Sequence, residues 1–323
     1  MRKMTSIIAA AVCALLCLSG CKEEKKSEAV LGAEKSAGLK IGMTVQDLSN
    51  QVWSSTAVNL SKLVSADGGK LTYLDCSNNS STQIQQLENF IANRMDVIIV
   101  HPVDKNSLEV TLANARKAGI KIFCWDEDVE NADLCWLIDN YAEGKIVGEY
   151  AANWINEKLG GSAEIAILDY PQIEILLDRA NGIVDAIKEK APNAQIVAQS
   201  SAINPTEGME KMETIFQKNP NVKVVACIGG GGAMGAVEAA KTSGKVDDTF
   251  GIFAVDGTEE ELLAIKNGDG ERMSILNTGT PEIMAQVIYD LVKQMQKGLI
   301  SEKIVYRQAI PVTTENVDSY LKK

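Results

Sequence analysis

Short apolar runs alternate with amphipathic stretches along the chain from Leu39 onward, and the alternation predicts repeated strand-helix units. Apolar runs without polar alternation are typical of parallel strands that are buried on both faces of a sheet. In the first half the pattern predicts strands at 40–45, 71–75, 97–100, 121–125 and 135–138, with helices at about 53–66, 82–94 and 106–118.

A long helix at about 141–159 leads into a second set of units, and Gly160-Gly161 and Pro192-Asn193 interrupt the pattern there. Because the roughly 285 residues after the N-terminal segment exceed what one core usually takes, we expect two doubly wound α/β lobes. The predicted strands of the second lobe are 164–168, 195–200, 223–228, 250–255 and 273–276, and its helices are about 176–190, 206–218, 233–242 and 259–266.

The last part of the chain predicts a helix at 281–297 and two short strand-like runs at 304–306 and 309–312. These runs have too little apolar mass for a third core, so we expect them to return to the lobes already formed. Several chain crossings follow, which is typical of a hinged clamshell. We expect an N-terminal lobe of 39–138 with 278–306 and a C-terminal lobe of 139–277 with 307–323.

Residues 1–20 have the pattern of a secretory signal, with two cations ahead of an apolar core at 7–18 that is too short for a permanent membrane span. The small residues before Cys21 resemble a bacterial lipoprotein signal, which implies that Cys21 carries lipid. An ordinary signal peptide with a chance cysteine is the alternative. Residues 21–38 are charged and poor in apolar side chains, which predicts a flexible tether. We therefore expect export and lipid anchoring at a membrane that faces the periplasm or the cell exterior.

The formal net charge of −11 disfavours nucleic acid and anionic lipid as partners. Four of the seven cysteines follow Cys21, and no pair among them has metal-ligand or redox spacing. Cys124 and Cys227 lie in apolar strand-like runs, so we expect buried thiols rather than a disulfide framework. A bridge between Cys124 and Cys135 stays open, because an exported chain meets oxidants.

Candidate chemistry is concentrated where the strand 121–125 ends in Trp125 and continues as Asp126, Glu127 and Asp128. In open α/β sheets, ligands bind beyond the carboxyl ends of the strands. Carboxylates accept hydrogen bonds from hydroxyl pairs and an indole offers a flat apolar face, so these side chains suit a small polyol or sugar. A solvated loop whose acids cap the next element is the alternative.

His101, the only histidine, follows the strand 97–100, where it either binds ligand or has a structural role. Four glycines at 229–232 follow another predicted strand but lack the spacing of a nucleotide loop. We expect them to allow close backbone approach to a neutral ligand. The chain shows no nucleophile elbow and no histidine or cysteine cluster with metal-ligand spacing, so we expect neither an enzyme nor a cofactor or metal.

The motifs at these strand ends resemble those of periplasmic sugar-binding proteins of the ribose and galactose type, over roughly residues 39–311. The resemblance implies a type I clamshell, two doubly wound parallel-sheet lobes joined by a hinge. It also implies an ABC permease as partner, a chemotaxis receptor as a further candidate partner, and a monomer. The motifs are residues 47–50, 100–104, 125–126, 178–182, 235–236 and 253–258.

The chain departs from the ribose-binding pattern at His101, Glu127 and Gly229, where ribose binders have asparagine, arginine and asparagine. One of two stacking aromatics is replaced by Val52. Residues 125–128 are more similar to the rhamnose and furanosyl-autoinducer branch, so the resemblance does not assign ribose. The ligand-binding residues that it implies, together with these departures, are Asn50, Trp53, His101, Trp125, Asp126, Glu127, Arg179, Gly229, Asp256 and Asn277.

We therefore expect an extracytoplasmic lipoprotein that captures a monosaccharide or related small polyol between two lobes and delivers it to an ABC importer. A nucleoside-binding or furanosyl-autoinducer-binding lipoprotein of the same fold is the alternative. A sugar-responsive repressor shares this core but needs a basic DNA-binding domain where this chain has a signal and a tether. A glycosidase is disfavoured, because the adjacent Asp126 and Glu127 cannot flank a glycosidic bond from two sides.

Overall fold

A computed structural model describes residues 38–321 of the chain, except for the side chain of Gln51. The expected signal peptide, Cys21 and, apart from Gly38, the expected tether lie outside the described residues. The strands are β1 (Lys40–Val45), β2 (Lys70–Asp75), β3 (Val97–Val100), β4 (Lys121–Trp125), β5 (Leu134–Leu137), β6 (Glu164–Asp169), β7 (Gln195–Ser201), β8 (Val222–Cys227), β9 (Gly251–Val255), β10 (Glu271–Asn277), β11 (Ile304–Tyr306) and β12 (Ala309–Val312). The helices are α1 (Gln51–Ala66), α2 (Ser80–Ala92), α3 (Lys105–Lys117), α4 (Asn140–Lys158), α5 (Glu174–Lys190), α6 (Pro205–Lys218), α7 (Gly230–Thr242), α8 (Glu259–Asn267) and α9 (Pro281–Gln296).

Within the described range the strands form two six-stranded sheets, which confirms the prediction of two doubly wound α/β lobes. The first sheet has the order β11-β5-β4-β3-β1-β2 and is parallel throughout. The second has the order β12-β10-β9-β8-β6-β7, with β12 antiparallel to β10. The strand order changes direction between β1 and β3 and between β6 and β8. Such a change opens a crevice at the carboxyl ends of the strands.

The strands of the first lobe are apolar almost throughout because helices cover both faces of the sheet. Met43 and Phe123 lie on the face that packs against α1 and α9. Ile98 and Cys124 lie on the opposite face, against α2 and α3. Successive residues of one strand therefore enter two different cores, as the two-residue period of a strand requires.

Helix α7 differs from the sequence prediction, which left the four glycines in a loop and began a helix at 233. The structure begins α7 at Gly230, with Gly229 as its N-cap. The physical reason is close packing, because a Cβ at Gly231 would lie 2.2 Å from the backbone oxygen of Ile203. Only glycine lets the first turn of this helix approach the segment after β7 so closely.

The chain passes between the two sheets at residues 138–139, 278–280 and 307–308, which we call the hinge. The last crossing is hydrogen-bonded to the chain at both of the other crossings. The Arg307 backbone N–H donates to Leu137 O at 2.7 Å, and the Thr278 backbone N–H donates to Gln308 O at 2.7 Å. The late strands β11 and β12 join the edges of the first and second sheet. We propose a first lobe of 39–138 with 278–306 and a second lobe of 139–277 with 307–323.

None of the helices that the structure describes combines the length and apolar character needed to span a membrane. In the same described part of the chain, no cluster of histidine, cysteine, aspartate and glutamate side chains could hold a metal ion.

Candidate functional site

The carboxyl ends of β1, β3 and β4 bring three predicted site residues together in the first lobe. Trp53, in the first turn of α1, packs on His101 with ring centroids 4.4 Å apart. The His101 Nε2 atom lies 3.5 Å from Asp126 Oδ2. The Trp53 side chain is half-buried and the Asp126 side chain is 24% exposed, whereas His101 is buried. An indole and a carboxylate therefore face the cleft, with an imidazole packed between them.

Arg307, in the hinge, holds the Asp126 carboxylate. One guanidinium nitrogen donates to both carboxylate oxygens, at 2.9 and 3.2 Å. A second nitrogen donates to the backbone oxygen of Asn277 at 3.3 Å, and the guanidinium lies 4.8 Å above the Trp136 ring. Arg307 was not among the predicted site residues, because in the sequence it is only a cation between two short apolar runs, 181 positions from Asp126.

The environment keeps Asp126 ionised. Burial raises the pKa of its carboxyl, but the Arg307 guanidinium and the His101 imidazole outweigh burial and hold the pKa below its ordinary value. An ionised carboxylate accepts hydrogen bonds only, so Asp126 can bind two hydroxyl groups through its remaining lone pairs.

In the second lobe, Arg179 lies in the second turn of α5 and is almost fully buried. Its guanidinium donates to the backbone oxygen of Ile228 at 2.7 Å and to Asn140 Oδ1 at 2.6 Å. The same group lies 3.2 Å from Glu143 Oε2. Its buried Nε has no hydrogen-bond partner among the described residues. Arg179 therefore has one donor left over at the base of the cleft.

Asp256 directly follows β9 and is exposed at the cleft. Its Oδ2 accepts the Gly230 N–H at 2.8 Å, so this carboxylate occupies the N-terminus of α7. A Cβ at Gly229 would lie 3.0 Å from the same oxygen. A cavity of about 220 Å³ lies between Asp256, Arg179 and Ile203. The glycines thus give Asp256 its position and leave room for a ligand beside it.

A match to a family model decides the assignment. Residues 41–299 match the family described as periplasmic binding protein domain. The chain belongs to this family. Membership places the protein outside the cytoplasm and among binding proteins rather than enzymes.

Individual relatives of this binding protein agree with the family. The ribose import binding protein of Bacillus subtilis (strain 168) is 26% identical over 269 residues, which are 82% of this chain and 84% of that protein. The galactofuranose-binding protein of Escherichia coli (strain K12) is 25% identical over 309 residues, 91% and 95% of the two chains. A periplasmic solute-binding protein from Actinobacillus succinogenes 130z, crystallised with D-allose, has a TM-score of 0.71 at 22% identity and covers 87% of this chain and 100% of its own.

Three predicted site residues of the binding protein contact other protein groups. Trp125 is fully buried, and its indole packs 6.0 Å from that of Trp136. Asn50 caps α1, because its Oδ1 accepts the backbone N–H groups of the helix's first turn. Glu127 is half-exposed and lies 3.4 Å from the ammonium group of Lys105. Their roles as ligand contacts stay predictions.

Two further groups meet the cleft at the hinge. The predicted Asn277 ends β10, and its buried Oδ1 has no partner among the described residues. Glu143, which the sequence analysis missed, lies in the first turn of α4, where an acid is an ordinary partner of the helix dipole. Burial raises the pKa of Glu143 to about 7, against the opposing effect of Arg179 and with a contribution from Asp256. The Glu143 carboxyl therefore titrates near neutral pH.

The structure thus gathers the predicted residues into two groups on facing lobes. Trp53, His101 and Asp126 form the group on the first lobe, and Arg179, Gly229 and Asp256 form the group on the second. Each group combines a carboxylate with cationic or N–H donors, and the hinge supplies Arg307 to the first of them. Such an arrangement can bind a small molecule whose hydroxyls both donate and accept.

Proposed function

We propose that this protein captures a monosaccharide or related small polyol between its two lobes and delivers it to an ABC importer. The observation that carries the proposal is the pair Asp126 and Asp256, one at the carboxyl end of each sheet. Each carboxylate is already held by protein donors, the Arg307 guanidinium for Asp126 and the Gly230 N–H for Asp256. Their remaining lone pairs are free for ligand hydroxyls.

The chemistry of the cleft supports a polyhydroxylated ligand. A carboxylate pairs with adjacent hydroxyl donors, and the positive charge of Arg179, which lines the cavity beside Asp256, favours ligand oxygens. The half-buried Trp53 indole offers an apolar face for C–H groups of a sugar ring. The relatives are named for ribose and galactofuranose, and the A. succinogenes protein was crystallised with D-allose, which agrees with this class.

A nucleoside or a furanosyl autoinducer is the second candidate. The observation that favours it is the Trp53–His101 pair, since an exposed indole face can also stack on a flat base.

A thermal-shift screen tests the proposal. Pentoses, hexoses, furanose sugars, polyols and nucleosides would each be added at millimolar concentration, and hits would be titrated calorimetrically. A ligand at 100 times its Kd stabilises the folded state by about 2.7 kcal/mol, which raises the melting temperature measurably. The double variant Asp126→Ala/Asp256→Ala is the control and should show no shift. A panel in which only nucleosides stabilise the protein would replace the sugar assignment, and no stabilisation by any member would refute the proposal.

We further propose that the mature protein is lipid-anchored through Cys21 and acts as a monomer. The lipoprotein-like pattern before Cys21 supports the anchor. We expect Cys21→Ser to leave the exported protein in the aqueous phase of a detergent partition, whereas the wild type enters the detergent phase. A variant that still partitions with membranes would mean that Cys21 is not the anchor.

The partner that this function requires is a membrane permease that recognises the closed, ligand-bound form. A chemotaxis receptor that reads the same form is a further proposed partner. The permease and the receptor would both bind a surface that the two lobes form together when they close.

A further inference from the structure

Two of the four described cysteines are direct neighbours. Cys124 of β4 and Cys135 of β5 are register partners in adjacent parallel strands, and both are free and fully buried. Adjacent strands are about 4.8 Å apart, which lies within the Cα separation of about 4.4–6.8 Å that disulfides span. Both side chains enter the same core cluster, so the two thiols lie on one face of the sheet.

The environment distinguishes the two thiols. Contact with Cys135, together with burial, raises the pKa of the Cys124 thiol. The same contact lowers the pKa of Cys135, against burial and with help from the Lys303 ammonium group. Cys135 lies on the side of the pair that faces Lys303 and the exposed loop, so we take it as the thiol that a small reagent meets first.

Cys135 lies beneath the loop after β4, where its thiol contacts the exposed Asp128 and the buried Val129. Its Sγ donates to Asp128 Oδ1 at 3.6 Å, and the Asp128 side chain is 49% exposed. Asp128 is held over the thiol by Lys303, whose ammonium group lies 2.7 Å away and whose side chain is 38% exposed. Because a surface ion pair contributes little energy, we expect motion of this loop, Val129 included, to expose Cys135 to a small reagent.

We propose that Cys124 and Cys135 form an oxidisable thiol pair whose disulfide alters the ligand-binding cleft. The Cys135 thiolate attacks a small-molecule disulfide, forms a mixed disulfide and releases one small thiol. Cys124 then attacks the Cys135 sulfur, so that the protein disulfide forms and the second small thiol leaves. Two protein thiols are oxidised, and one small disulfide is reduced to two thiols.

The bridge acts on the cleft through the residues that follow each cysteine. Asp126 lies two positions after Cys124 and donates its backbone N–H to Trp136 O at 3.0 Å. Trp136 follows Cys135, and the Arg307 guanidinium lies 4.8 Å above the Trp136 ring. Bonding the two sulfur atoms reorients both cysteine side chains and shifts the adjoining backbone, which moves the groups that orient Asp126. This coupling to ligand binding rests on the proposed function, whereas the disulfide itself does not.

Oxidised glutathione, added to the folded reduced protein, tests the pair. We expect the intact mass to fall by two hydrogen atoms, and peptide mapping to find a Cys124–Cys135 cross-link. The Cys76→Ala/Cys227→Ala variant, which keeps only the pair, should do the same. Cys124→Ala should instead stop at a glutathione adduct on Cys135. Unreacted thiols in the folded wild type, or a lasting adduct without a bridge, would overturn the proposal.

The coupling is measured on the same samples. Oxidation should shift tryptophan emission, because Trp125 and Trp136 adjoin the cysteines, and should weaken binding of the solute found in the screen at least about tenfold. Unchanged emission and affinity in the bridged protein would overturn the coupling. If the reduced protein binds no solute at all, the proposed function fails separately, and the mass mapping and the emission still decide the thiol pair.

Discussion

Asp126 and Asp256 occupy equivalent positions in the two lobes. Each directly follows a buried strand, and each has a positive φ angle, 64° for Asp126 and 112° for Asp256. Their backbone N–H groups donate to Trp136 O at 3.0 Å and Ile275 O at 2.9 Å. A left-handed conformation costs a non-glycine residue on the order of 1–2 kcal/mol. The fold maintains this strain at two places that aim a carboxylate into the cleft, as ligand-binding positions often do.

Asp126→Asn tests the role of the first carboxylate. The amide keeps the shape of the side chain but removes the charge that Arg307 neutralises. We expect solute affinity to fall at least about tenfold and the free energy of unfolding to fall by about 2 kcal/mol, because a buried cation loses its partner. Calorimetric titration and urea unfolding measure the two effects.

Asp104→Asn is the matched control for this variant. Asp104 caps α3 through its side-chain oxygen, and asparagine caps a helix equally well. Affinity and stability should therefore stay at wild-type values in the control. Wild-type affinity in Asp126→Asn would remove Asp126 from the site.

Glu143 predicts a pH dependence of stability. Its pKa is raised from an ordinary 4.5 to about 7, so between these values the folded protein holds a proton that the unfolded chain releases. The stability from this proton is fully present below about pH 4.5 and is lost as the pH rises through about 7. Glu143→Gln cannot ionise, so its stability relative to the wild type should increase from about pH 5 to about pH 8.

Unfolding of both proteins by urea across this range measures the difference. Arg179, Asp256 and Arg307, whose charges face Glu143, are unchanged in the variant, so only the titration of Glu143 is removed directly. A difference that stays constant with pH would mean that Glu143 does not titrate in this range.

At the scale of elements, glycines set the distance between α4 and α5. A Cβ at Gly144 would lie 1.9 Å from the Arg179 backbone oxygen, and a Cβ at Gly182 would lie 2.2 Å from that of Tyr141. The two helices therefore approach until their backbones touch. This contact places Arg179 beside Asn140 and Glu143 at the base of the cleft.

Gly144→Ala should separate these helices. We expect a loss of about 1–3 kcal/mol in the free energy of unfolding, as for other overpacked interfaces. Solute affinity should fall as well, because Arg179 moves with α5. Thermal unfolding and titration measure both, with Asn153→Ala, an exposed change on α4, as the control. A Gly144→Ala protein as stable as the control would contradict the close-packing argument.

At the scale of the whole molecule, the hinge takes part in the site. Arg307 lies in the third crossing, donates to Asn277 at the end of β10 and holds Asp126 of the first lobe. Any rotation of the lobes about the hinge therefore acts on a group that positions a cleft carboxylate. We therefore expect ligand binding and lobe closure to be coupled through this arginine.

Arg307→Lys tests this coupling. Lysine keeps the charge but cannot reach Asp126 and Asn277 together, because it lacks the guanidinium fork. We expect saturating solute to reduce the radius of gyration of the wild type, measured by small-angle scattering, and to reduce it less in the variant. Arg272→Lys, at the opposite end of β10, is the control and should compact as the wild type does. Equal compaction in both variants would show that Arg307 does not couple the lobes.

The sequence alone determined the architecture and the edge of each sheet where the site lies. The predicted bounds of β1, β3 and β4 are confirmed, because continuous apolar runs between polar turns have few alternative structures. His101 and Asp126 could be placed at one sheet edge because each directly follows such a run. Local order along the chain is sufficient for these inferences.

Only the tertiary structure decided how the site is charged and packed. Arg307 contacts Asp126 although the two residues are 181 positions apart in the sequence. Glu143 has a pKa of about 7 because the fold buries it between α4, α5 and the hinge. The burial of Trp125 is likewise decided by packing, in this case against Trp136 of the next strand. These properties depend on which distant segments become neighbours, and burial and Coulomb interactions act through space rather than along the chain.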